Sequence, residues 1–169
     1  MPATVAEILK EFDLESATTR RVLERVPADQ LTWKPHAKSM SLGQLALHVA
    51  AGPGVISEWA LEDSLEMPDM GGAPQPSSGA QILAAHDEGN KKMKAAVSKV
   101  GDGGLGQMWQ LKKNGATLMA MPKGVLIRSL ALNHIYHHRG QLSVYLRLLN
   151  VPVPSIYGPS ADENPMAPR

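Results

Sequence analysis

Apolar residues recur at intervals of three and four in four separate stretches of the chain, the spacing that lines one face of an α-helix. The first runs from Thr4 to Val26, with Val5, Ile8, Leu9, Phe12, Leu23 and Val26 on one side. Thr4 and Glu7 form a T-x-x-E capping box at its start, and Pro27 stops it. The second runs from Ser41 to about Leu65 and carries the stripe Leu42, Leu45, Val49 and Ile56. Ser41 and Gln44 repeat the capping signature. Gly52-Pro53-Gly54 interrupts this stretch, and because Pro53 cannot donate to the Val49 carbonyl, a kink or break is expected just past His48. The third begins at Ser78 and Gln81 and reaches about Val100. Its face of Ile82, Leu83, Ala85, Met93, Ala96 and Val97 is interrupted by His86 and Glu88. The fourth is the longest, from Pro122 to Asn150, with Leu126, Leu130, Ile135, Leu142, Tyr145, Leu146 and Leu149. Asn150 and Pro152 end it.

The connectors are equally informative. Ala28 to Met40 reads as a packed loop anchored by Trp33, with His36 as a loop histidine. Met67 to Ser77 is too rich in Pro and Gly for a regular element, yet long enough for a crossover. Gly101 to Gly106 is a flexible break. Beyond it, Met108-Trp109-Gln110-Leu111 and Thr117-Leu118-Met119 flank Asn114-Gly115, a hairpin signal because both turn residues tolerate positive φ. Val151 to Arg169 is a proline-spaced tail whose Val153, Ile156 and Tyr157 should pack on the rest. The expected fold is therefore one domain spanning residues 1–169, an all-α four-helix bundle with at least one crossover and a small hairpin before the last helix.

Composition narrows the chemistry. The chain has 169 residues, enough for one sizeable core, and a formal charge of only +1, which gives no reason to propose a nucleic-acid partner. Cysteine is absent, so disulfides, thiolate metal sites and cysteine nucleophiles are excluded. Any metal must be held by His, Asp, Glu and water. No run is apolar and long enough to span a bilayer. Glu7, Lys10, Glu11 and Asp13 stand where a signal peptide would need an apolar segment, so a soluble, cytoplasmic protein is expected.

The candidate site lies in the fourth stretch. His134 and His138 are four residues apart, one helical turn, and two imidazoles at that spacing can hold one metal ion. His137 is three residues from His134, so spacing alone leaves the choice between His137 and His138 open. The pair by itself is a weak signal, and three features strengthen it. His48, on a different helix, lies beside an apolar stripe where an unpaired imidazole is costly. Gly140 would let another backbone approach closely. Gln44, Asn133 and Gln141 are placed to orient ligating rings. Candidate general bases are Glu58, Asp162 and Glu163, each of which also reads as a solvated surface carboxylate. Tyr136 and Tyr157 read as pocket hydroxyls or as core. Arg139 reads as an anion-binding group or as the partner of a carboxylate at a helix or subunit interface.

Three motifs together, Ser41-Leu42-Gly43-Gln44-Leu45-Ala46-Leu47-His48-Val49-Ala50, His134-x-x-x-His138-Arg139-Gly140-Gln141-Leu142 and Val153-Pro154-Ser155-Ile156-Tyr157-Gly158, resemble the DinB/YfiT-like superfamily of metalloenzymes. The resemblance covers nearly the whole chain in element order. It implies a bundle of up-down-down-up topology, commonly dimeric, and a divalent metal held by His48, His134 and His138. His137 is then an addition to the pattern. Zinc suits three imidazoles, and nickel, iron and manganese are alternatives. The resemblance further implies a metal-dependent enzyme that is either hydrolytic or transfers a low-molecular-weight thiol to a small-molecule electrophile. The alternative is a non-catalytic, metal-binding or stress-related homodimer.

Overall fold

The computed structural model describes residues 4–67 and 71–167. Helix α1 (Val5–Leu23) buries Ile8, Phe12, Val22 and Leu23. Its capping box is complete: Glu7 N–H donates to Thr4 Oγ1 at 3.2 Å, and Thr4 N–H donates to Glu7 Oε2 at 2.8 Å. Helix α2 (Leu42–Trp59) starts with the same reciprocal pair between Ser41 and Gln44. Helix α3 (Gly79–Gly104) starts at Ser78, which accepts from Gln81 N–H at 3.1 Å. There the return bond shifts by one residue, and Gln81 Oε1 accepts from Ser77 N–H at 2.8 Å. The backbone leaves helical geometry at Gly101, where φ is +65°, as the glycine run predicts.

Helix α2 is not broken at Pro53. It runs on to Trp59, so of the kink or break expected there the break does not occur, and it ends short of the predicted Leu65. The physical reason is a close crossing with α3. A Cβ on Gly54 would sit 2.7 Å from the Gly89 carbonyl oxygen, and a Cβ on Gly89 would sit 2.7 Å from the Ala50 carbonyl oxygen. Two backbones this near replace the single hydrogen bond that Pro53 forfeits with continuous dispersion contact.

The expectation of an all-α chain also needs correction. Ser64–Glu66 forms strand β1, which pairs in parallel with strand β2 (Met108–Lys113). Strand β2 pairs antiparallel with strand β3 (Ala116–Pro122). The predicted hairpin is thus two strands of a three-stranded sheet. Asn114 (φ 52°) and Gly115 (φ 79°) make its turn, both in the left-handed region. The protein is mostly helical with this small sheet at one end. Part of the Pro/Gly-rich connector, residues 68–70, falls outside the described residues, as do residues 168–169 of the tail.

The fourth helical stretch has three parts: α4 (Lys123–Leu126), a π-helical segment (Ile127–Asn133) and α5 (His134–Leu148). Two apolar clusters hold everything together. One gathers Leu42, Leu45, Val49, Ile135, Leu142 and Leu146 around the α2–α5 contact. The other gathers Phe12, Met93, Leu126 and Leu132 around Trp109, which anchors the sheet to the helices and is fully buried. The tail is pinned through its carboxylates. Asp162 pairs with Arg147 and accepts from Val153 N–H, while Glu163 pairs with Arg21 and accepts from Ser155 N–H. Among the described residues, no helix is long and apolar enough to cross a membrane.

Candidate metal centre

The π-helical segment ends where the site begins. Wider winding over Ile127–Asn133 resets the rotation of everything that follows, so the direction in which His134 and His138 project is set by this segment. Both then lie on one face of α5, turned toward α2, where His48 sits one turn beyond Gln44.

The three imidazoles converge. Each offers one ring nitrogen, and these nitrogens all lie within 4.8 Å of one another. Ring centroids are 5.1 Å apart for His48 and His134, 4.6 Å for His48 and His138, and 4.4 Å for His134 and His138. The Nε2 atoms of His134 and His138 are 2.7 Å apart, a hydrogen-bond separation. Two nitrogens on one tetrahedral zinc would be about 3.4 Å apart at a Zn–N length near 2.05 Å. A small outward rotation of either ring covers that difference.

The protonation states suit ligation. Burial, followed by the neighbouring His138 and His134, pushes the His48 pKa down to about 4. Burial also lowers His134 and His138 from the ordinary histidine value. All three are therefore neutral at pH 7, with lone pairs available. Gln141 Oε1 lies 2.7 Å from His138 Nδ1 and can only accept, so the proton sits on Nδ1 and Nε2 faces the other rings with its lone pair. The Leu130 backbone carbonyl opposes that lowering at His134, whose buried Nδ1 meets no full hydrogen-bond partner among the described residues.

The remaining sequence candidates separate cleanly. His137 is exposed and lies outside the convergent group, with only its ring edge against His138 at 4.9 Å. Glu58 pairs with Lys92 at 3.1 Å, and Asp162 and Glu163 hold the tail, so all three carboxylates are engaged in ion pairs. Arg139 is a structural cation, 1% exposed. It donates to Glu15 Oε2 (2.6 Å), Thr19 Oγ1 (3.1 Å) and Tyr157 Oη (2.7 Å), and it lies over the rings of Tyr136 and Tyr157. Tyr136 donates to Glu11, away from the three histidines. Gly140 has open space where a Cβ would be, so the expected close approach does not occur there. Asn133 is exposed, and the amide of Gln44 is consumed by Ser41 N–H and the Ala73 carbonyl.

Sequence reasoning missed the cleft into which the histidines open. It encloses about 440 Å³, and His48 and His134 stand at one end. Its wall is the row Leu47, Ala51, Val55 and Trp59, spaced by four along α2. The signal was present, because α2 carries this second apolar row beside its buried one, and its last member, Trp59, also packs on the core.

Comparison with known proteins agrees with this architecture. The model of the DinB family matches residues 1–166. The chain belongs to the DinB family. This DinB chain is 30% identical over 163 residues to the uncharacterized protein YrdA of Bacillus subtilis (strain 168), covering 95% of this chain and 92% of that one. Its fold is similar to the crystal structure of a DinB-like protein from Bacillus cereus ATCC 10987, with a TM-score of 0.72 at 23% identity over 93% of this chain and all of the other. It is also similar to the DinB-like protein YjoA of Bacillus subtilis, with a TM-score of 0.63 at 20% identity over 85% of this chain and 92% of that one.

Proposed function

We propose that this DinB protein is a metal-dependent enzyme acting on a small molecule, with His48, His134 and His138 as the protein ligands of a divalent ion. The observation that carries this reading is the convergence of three imidazoles, two of which, His48 and His134, line an open, largely apolar cleft. An ion held only to stabilise the helices would be enclosed on all sides, whereas the rings of His48 and His134 open onto space large enough for a substrate. The all-imidazole donor set suits zinc first, with nickel, iron and manganese as alternatives.

When bound, the ion supplies Lewis-acid chemistry at coordination positions the protein leaves free. The chain's own groups prepare that position. Gln141 fixes the tautomer and orientation of His138. Burial keeps His48 unprotonated in neutral solution. The apolar wall of α2 holds water away from a bound substrate. Two reaction types fit, hydrolysis and transfer of a low-molecular-weight thiol to an electrophile. In the second, the thiol is supplied from outside, because the chain has no cysteine.

The test is a turnover screen of metal-loaded protein, with small thiols plus electrophiles in one arm and esters and amides in the other. The expected result is saturable turnover in one arm, lost in His48→Ala. Full metal loading with no turnover in either arm would favour the non-catalytic, metal-binding reading instead.

We further propose a homodimer through the outer face of α5. Val144 and Leu148 are each 57% exposed there, one turn apart and in line with His137 and Gln141.

A further inference from the structure

The cleft has a definite shape and polarity. Leu47, Ala51, Val55 and Trp59 form a single row on α2, beginning next to His48. From His48 to Trp59 the row extends roughly 16 Å at 1.5 Å per helical residue. Its polar lining is confined to the histidine end, where Gln44 already spends both amide atoms on Ser41 and Ala73. Among the described residues, no charged side chain lines it. The far end is rigid, since Trp59 stacks on the fully buried Trp109 with the ring planes 5° apart and the centroids at 6.3 Å.

We infer that the substrate is an amphiphile, with its reacting polar group at the three histidines and an uncharged, extended alkyl tail of about twelve carbons along the α2 row to Trp59. This inference rests on the proposed enzymatic site and names its substrate class. A charged or strongly hydrated tail would lose its water along this wall without gaining a partner. A compact substrate would leave the row from Ala51 to Trp59 uncovered, and Val55 is 45% exposed within it.

The experiment uses straight-chain 1-alkanols from butanol to decanol, titrated onto the full-length protein as purified, with tryptophan fluorescence as the readout. Trp59→Phe identifies the signal as coming from the cleft. The expected Kd falls about two- to four-fold with each added methylene, the increment for partial to full burial of CH₂. Val55→Lys, at an exposed position that leaves the core intact, should weaken decanol at least ten-fold and leave butanol unchanged. A Kd independent of chain length, or a Val55→Lys protein that binds decanol like the unaltered chain, overturns the inference. Conversion of a dimer to a monomer by Val55→Lys would assign the row to a second copy of the chain and overturn it as well. Metal content is measured on the same preparations. Loss of metal with chain-length dependence intact would refute only the metal reading, and metal retained without chain-length dependence would refute only this one.

Discussion

Gln141 Oε1 lies 2.7 Å from Nδ1 of His138, and this contact decides which nitrogen of His138 faces His48 and His134. Without it, the ring can flip or carry its proton on Nε2. Gln141 is exposed, so its replacement does not touch the core. Gln141→Leu should weaken metal affinity about 10- to 100-fold, with helix content unchanged. Competition with a chromophoric chelator measures it. Unchanged affinity would remove Gln141 from the site.

Arg139 carries a different weight. Its guanidinium is 1% exposed and joins α1 to α5 and the tail through Glu15, Thr19 and Tyr157. Arg139→Ala leaves the Glu15 carboxylate, itself only 18% exposed, without its cation. The expected loss is about 3–5 kcal/mol of unfolding free energy in urea. Metal stoichiometry of the folded fraction should stay intact. A loss below about 1 kcal/mol would place Arg139 among surface ion pairs.

His86 predicts an acid sensitivity separate from the metal centre. It is 3% exposed, with Nε2 3.3 Å from Ser16 Oγ and Nδ1 3.3 Å from Asn90 Nδ2. Burial lowers its pKa, the adjacent Asp87 opposes that, and Arg20 reinforces it. The unfolded chain therefore takes up the proton first as pH falls below about 6.5, so the stability His86 contributes is complete above that value and declines beneath it. The difference in unfolding free energy between the natural chain and His86→Gln should shift toward the variant between pH 7.5 and pH 5. Parallel profiles would contradict this.

The dimer is tested at Val144. Val144→Glu places a charge in the exposed row of α5 without entering the core. Sedimentation at micromolar concentration should change from dimer to monomer. A monomer before substitution would defeat the proposal.

What was legible in the sequence follows from how local each signal is. The capping residues Thr4, Ser41 and Ser78 marked helix starts because the bonds they make span three residues. Asn114-Gly115 marked its turn for the same reason. His48, His134 and His138 were readable from face and spacing together with a family resemblance. Strand β1 was not, since Ser64-Leu65-Glu66 shows no alternation and exists through pairing with β2, more than forty residues away. The fate of Pro53 depended on Gly54 and Gly89 meeting across two helices. The π-helical segment keeps nearly the same apolar rhythm as an α-helix, so Ile127 to Asn133 looked regular. His86 read as a break in an apolar face because its partner Ser16 lies on another helix.

Metal analysis of purified protein, together with His48→Ala and His138→Ala, tests the central claim most directly. The account predicts close to one divalent ion per chain in the natural protein and loss of that ion in both variants at unchanged helix content. Metal retained in both variants, or a natural protein that binds none after equilibration with zinc, nickel, iron and manganese, would contradict it.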